Sequence, residues 1–226
     1  MKVESPIKVG LKTIALWNND SMEAQVQRYE QESVEKGQIV FYGPSNFTRW
    51  RRDKWGATPL REALPGKSGK PCAYNRGFGS SCTEHHLYYY SRMVRPLEPK
   101  VLVYAPGLGN AMHFGYTPEE TFALAQRVVL YALSDFPDLR VYILGLNFGR
   151  SRLFGKEIPQ EEVQFQSWLK EFAEITPNCS FLDVSDYTPL HRKELFAEDH
   201  AHFNQAGYEV YAEFFKEALK QEFDLY

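Results

Sequence analysis

Ile39-Val40-Phe41-Tyr42-Gly43-Pro44-Ser45-Asn46 joins a short apolar run to a glycine, a proline and then a hydroxyl. Such a run, without polar alternation, reads as a strand covered on both faces, the habit of parallel sheets. The same cadence recurs weakly at Ala73-Tyr74, strongly over 101–105, and again over 141–146 and 180–184. Helical patterns fill the intervals over 21–36, closed by Gly37, then over 84–95, 118–134, 160–175 and 205–222. Strands alternating with helices imply right-handed crossovers and a mostly parallel sheet with helices on both faces. Ligands of such sheets bind beyond the carboxyl ends of the strands, so the loops that follow each strand are where chemistry is expected.

The 226 residues fit one α/β domain, 1–226, large enough to bury a sizeable core. Hydrophobic residues at 43% and charged residues at 24% exclude disordered, collagen-like and coiled-coil readings. A net charge of -3 and the lack of any long Lys/Arg run argue against a nucleic-acid partner. Cys72, Cys82 and Cys179 make an odd number that suggests no disulfide framework, so free thiols in a reducing compartment are expected. Met1 to Gly10 carries no apolar core of signal-peptide length, and no stretch approaches the span of a bilayer. The expectation is a cytoplasmic protein with no membrane partner, in which the sequons at Asn46 and Asn178 have no role. Aromatic content of 15% leaves room for a partner surface without specifying an oligomeric state.

Four loops carry the candidate chemistry. Ser45, after the first strand, is either an exposed hydroxyl at the sheet edge or the cap of a short helix. Asn75-Arg76-Gly77-Phe78-Gly79-Ser80-Ser81 supplies flexible backbone whose amides can face a negative oxygen. Read as a dinucleotide loop it fails, because Cys82 stands where the third fingerprint glycine belongs. Gly66-Lys67-Ser68 fails as a P-loop because Arg61 occupies the first glycine position. After the third strand, Pro106-Gly107-Leu108-Gly109-Asn110 offers either a side-chain N–H or an ordinary turn asparagine. Near the end, Glu198-Asp199-His200-Ala201-His202-Phe203-Asn204 precedes the last helix, with Asn204 as its expected N-cap. An Asp three residues before a His can orient that His; the other readings are solvated histidines or a metal site from His200 and His202, for which zinc would require more ligands.

Taken in chain order, these loops resemble the blocks of the SGNH (GDSL-type) hydrolase and esterase superfamily over most of the chain. Gly43-Pro44-Ser45 resembles its Gly-Asp-Ser block, Asn75 to Ser81 its second block, and Gly109-Asn110 the end of its third. Asp199-His200-Ala201-His202 matches the Asp-x-x-His block and is followed by Asn-x-x-Gly-Tyr in Asn204 to Tyr208, the most specific of the matches.

The resemblance implies a flavodoxin-like three-layer α/β/α sandwich around a five-stranded parallel sheet. It also implies a serine esterase with Ser45 as nucleophile, His202 as general base and then acid, and Asp199 as the orienting carboxylate. The oxyanion would be held by the backbone N–H groups of Ser45 and Ser80 and the side chain of Asn110, with no cofactor or metal. A short acyl ester, such as a sugar O-acetyl group, is the expected substrate. The alternative is a catalytically silent relative that binds a carbohydrate or small ester, and a flavin-binding protein of the same fold would be coloured where none is expected. Three positions depart from the family pattern. Pro44 replaces an aspartate, Ser80 a glycine, and Leu108 a glycine beside one extra residue near Pro106-Gly107, where local rebuilding is expected. Trp50, Trp55, Phe114, Tyr116 and Phe148 are candidate pocket walls, and the segment 147–160, with Arg150, Arg152 and Lys156, is either a mobile cover or a solvated loop.

Overall fold

β1 (Ile39–Gly43) is buried along its whole length and runs parallel to neighbours on both sides. The computed structural model describes residues 20–53 and 56–226, so the readings of Met1 to Gly10 and of Trp55 lie outside the described residues. α1 (Asp20–Glu30) precedes β1, and the very short α2 (Ser45–Thr48) and α3 (Leu60–Ala63) follow it. Next come β2 (Ala73–Gly77), α4 (Thr83–Met93), β3 (Val101–Tyr104), α5 (Leu108–His113) and α6 (Pro118–Asp135). β4 (Arg140–Leu144), α7 (Phe148–Leu153), α8 (Gln160–Ile175), β5 (Cys179–Leu182), α9 (Gln205–Ala218) and α10 (Lys220–Phe223) complete the order.

The five strands form one all-parallel sheet in the order β2-β1-β3-β4-β5. This is the flavodoxin-like order, and its direction of winding reverses between β1 and β3. The central strands split their side chains between two cores. Val40 and Tyr42 of β1, with Leu102 and Tyr104 of β3, pack toward α1, α4, α6 and α8, while Ile39, Phe41, Val101 and Val103 pack toward α9. Burial on both faces explains why these strands read as continuous apolar runs. Among the described residues, no helix is long and apolar enough to cross a membrane.

Three local expectations are corrected. The helix expected over 21–36 ends at Glu30, because tertiary contacts claim the remainder: Glu32 pairs with Arg76 and the Glu35 N–H donates to the Tyr74 hydroxyl. β2 continues through Asn75-Arg76-Gly77, where the sequence pattern predicts a loop. Those residues keep register with Phe41, Tyr42 and Gly43, and their polar groups are satisfied inside the protein. Arg76 is buried, bonded to Glu32 at 2.7 Å and seated over the Tyr29 ring at 4.8 Å, while Asn75 Nδ2 donates to Phe47 O at 2.6 Å. Finally, 147–160 is no simple loop, since α7 forms within it. Asn147 Oδ1 caps the Arg150 N–H at 3.1 Å, and Ser185 Oγ accepts the Phe148 N–H at 3.0 Å.

Candidate active site

At the carboxyl end of β1, α2 begins at Ser45, with Pro44 as its N-cap and no side-chain cap. A proline costs nothing there, since the first N–H groups of a helix have no intrahelical partner anyway. The hydroxyl is therefore not used in capping. Instead Ser45 Oγ lies 2.8 Å from His202 Nε2, and His202 Nδ1 lies 2.9 Å from Asp199 Oδ2. An ionised carboxylate can only accept, so Nδ1 carries the ring proton of the neutral imidazole and Nε2 presents a bare lone pair to the Ser45 hydroxyl.

The three-residue spacing of Asp199 and His202 has a geometric cause. Asp199 Oδ1 accepts the backbone N–H groups of Ala201 (2.9 Å) and His202 (3.0 Å), folding the chain so that the ring returns to the other carboxylate oxygen. His200 takes the left-handed conformation, φ +51°, to complete this turn, and its ring stacks on Phe154 at 4.4 Å. A fourth donor is Arg49, whose Nη1 lies 2.8 Å from Asp199 Oδ2. Burial alone would raise the Asp199 pKa, but the N–H groups of His202 and Ala201, the His202 ring and Arg49 outweigh it and hold the carboxyl well below its ordinary range. The His202 pKa is lowered, first by burial, which Asp199 opposes and the charges of Arg49 and Arg150 reinforce. At neutral pH the imidazole is the free base. The sequence reading missed Arg49. It stands four residues after Ser45, directly after α2, which carries it back over the serine's own helical turn.

The His202 loop is pinned beside Ser45 by the Asn-x-x-Gly-Tyr block. Asn204 Oδ1 caps α9 through the Gly207 N–H at 3.0 Å, while its Nδ2 donates to Glu194 O at 2.6 Å. A side chain at Gly207 would stand 2.2 Å from Leu195 O, so only glycine lets the helix approach the preceding turn. Tyr208 then reaches across, its hydroxyl donating to Asn46 O at 2.9 Å and fixing the residue next to Ser45. Each member of that motif thus acts on the distance between two loops.

Ser45 and His202 open into a cavity of about 280 Å³ whose wall also contains Asn46, Leu108, Asn110, Asn147, Phe148 and Arg150. Asn110 sits on α5, and Gly107 packs so closely beneath it that a Cβ there would lie 2.9 Å from Ser81 O. This close approach sets loop 78–82 against the loop after β3. Ser80 does not line the cavity. It is exposed and left-handed, φ +61°, a region glycine enters freely and serine only at a cost of about 1–2 kcal/mol. Of the candidate walls, Phe148 and Arg150 reach the cavity. Trp50 is core, packed on Tyr208, Tyr211 and Phe215, and Phe114 and Tyr116 belong to a separate cluster around Cys82. Cys72 and Cys82 are buried and Cys179 is half-buried, all three as free thiols.

No protein-family model and no curated protein sequence matches the chain. Solved structures do. A GDSL-like lipase from Bacteroides thetaiotaomicron is similar at TM-score 0.65 and 16% identity, over 88% of this chain and 97% of that one. A lipase/acylhydrolase from Enterococcus faecalis matches at TM-score 0.63 and 16% identity, covering 82% of this chain and 96% of the other. The C-terminal catalytic domain of peptidoglycan O-acetyltransferase A from Streptococcus pneumoniae gives TM-score 0.56 and 20% identity, over 85% and 97% of the two chains. The chain has the fold of the GDSL-like lipases and acylhydrolases.

Proposed function

We propose that the protein is a serine ester hydrolase acting on a short-chain acyl ester, such as a sugar O-acetyl group. The observation that carries this reading is the continuous contact from Ser45 Oγ to His202 Nε2 and from His202 Nδ1 to Asp199, opening on a cavity at the switch point of the sheet. Structural likeness to lipases, acylhydrolases and an O-acetyltransferase domain supports the same reaction class.

A serine hydroxyl is a weak nucleophile unless a base takes its proton. In the proposed cycle Ser45 Oγ attacks the ester carbonyl carbon while its proton passes to His202 Nε2, and Asp199 stabilises the imidazolium that results. The tetrahedral oxyanion is met by the Ser45 backbone N–H and the Asn110 side chain. Ser80 is left out of this reading because it does not line the cavity. His202 then protonates the departing alcohol as the carbon–alkoxy bond breaks, leaving acyl-Ser45. Water attacks that ester, giving up a proton to His202, which returns it to Ser45 as the acid leaves. No step needs a metal or an organic cofactor.

The cavity volume lies near the lower limit for small-molecule sites, and its wall mixes amides and a guanidinium with apolar side chains. Both features suit a small acyl group on a polar alcohol better than a long lipid chain. The test is an ester panel of graded acyl length with Ser45→Ala alongside. Turnover should fall as the acyl chain lengthens and vanish in the variant. A folded wild-type protein that binds but does not turn over these esters would instead support the silent carbohydrate or ester binder.

A further inference from the structure

Beneath Asn110 lies a buried polar chain whose hydrogen bonds have a readable direction. Ser81 is fully buried, and its Oγ donates to Phe78 O at 2.7 Å. The hydroxyl has only one proton, so at its second contact, 2.9 Å from His86 Nε2, it must accept. His86 therefore carries its proton on Nε2. Its Nδ1 is left as an acceptor for the Tyr104 hydroxyl, 3.3 Å away. Burial drives the His86 pKa far below its ordinary value and keeps the ring neutral, as this pattern requires. The Tyr42 hydroxyl holds the backbone of the same residue through His86 O at 2.6 Å.

The chain thus runs from Tyr104 on β3, through His86 on α4, to Ser81 and the Phe78 carbonyl. Its output is the position of one peptide oxygen, because Asn110 Nδ2 donates to Ser81 O at 2.7 Å. That bond uses one of the two amide protons and leaves the second for another acceptor, on a residue that lines the cavity. Gly107 permits the two loops to meet at this distance. The neighbouring Cys82 N–H is held separately by His85 Nδ1 at 3.2 Å, so the turn is anchored on both sides of Ser81.

We infer that Ser81, held by His86 and Tyr104, is a positioning residue that aims the Asn110 amide at the oxyanion. The inference rests on the ester-hydrolase reading. It concerns the transition state alone, so kcat should move and KM should not.

The test is a double-mutant cycle with Ser81→Ala and Asn110→Ala on p-nitrophenyl acetate, with kcat expressed per titrated active site so that loss of folded protein does not count. Ser81→Ala should lower kcat about tenfold with KM changed less than about twofold, and should cost less than about twofold more once Asn110 is already alanine. Tyr104→Phe, which deletes only the distant hydroxyl, should lower kcat about threefold by the same route. Equal losses from Ser81→Ala in both backgrounds, or a loss confined to KM, would overturn the inference while leaving the hydrolase reading intact. Absence of any turnover in the wild-type protein would remove both.

Discussion

His202 and Asn110 reach one cavity from supports of opposite kind. The imidazole stands on a surface turn, oriented by a carboxylate that is 40% exposed and bonded to four donors. The amide stands on a shelf of Ser81, His86 and Tyr104, in which no side chain is more than marginally exposed. The surface turn is polar, local in sequence and open to ions and protons. The shelf is assembled from β3, α4 and the loop after β2, and water does not reach it. On the first side, then, charge and pH should govern behaviour; on the second, geometry should.

The largest effect expected on the exposed side is that of His202→Ala, which should lower kcat at least about 10³-fold in a steady-state ester assay while the protein remains folded. Asn110→Ala should cost about 10²–10³ in kcat, as loss of one oxyanion donor does elsewhere. Should Asn110→Ala prove the costlier of the two, the division between proton transfer and oxyanion support drawn here would be reversed. Arg49→Gln removes a positive charge together with the Nη1 hydrogen bond to Asp199. Removing a cation that depresses the His202 pKa lets that pKa rise, so the acid limb of the pH–kcat/KM profile should shift toward higher pH. In the wild-type protein that limb should lie below about 6.5, because the base must be unprotonated and its pKa is lowered. The smallest effect is one of stability. Ser80→Gly relieves a left-handed serine and should raise the unfolding free energy by about 0.5–1 kcal/mol, after the extra freedom of glycine in the unfolded chain is subtracted. A urea titration would measure it.

What could be read from the sequence divides along the same line. The apolar runs at 39–42 and 101–105 announced a doubly covered parallel sheet because burial on both faces leaves a local signature. Asp199, His202 and Asn204 were legible because a turn, an orienting carboxylate and a helix cap all operate within a few residues. Asn75 and Arg76 were misread as loop because their partners, Phe47 O and Glu32, lie 28 and 44 residues away. His86 and Tyr104 give no signal of a shared role, since only the packing of α4 on the assembled sheet brings them together. Arg49 is not legible in the sequence because its partner, Asp199, lies 150 residues away. Ser80 stands in a left-handed position that no local sequence signal announces, and it is not among the residues lining the cavity.

The central claim is that the Ser45 hydroxyl is activated by His202. Its most direct test is reaction of the folded protein with a fluorophosphonate, followed by intact-mass analysis and peptide mapping across a pH series. The account predicts one adduct per chain, located on Ser45, forming at a rate that rises with pH as His202 loses its proton, and absent from Ser45→Ala. A folded protein that stays unmodified, or an adduct mapped to any other residue, would contradict it.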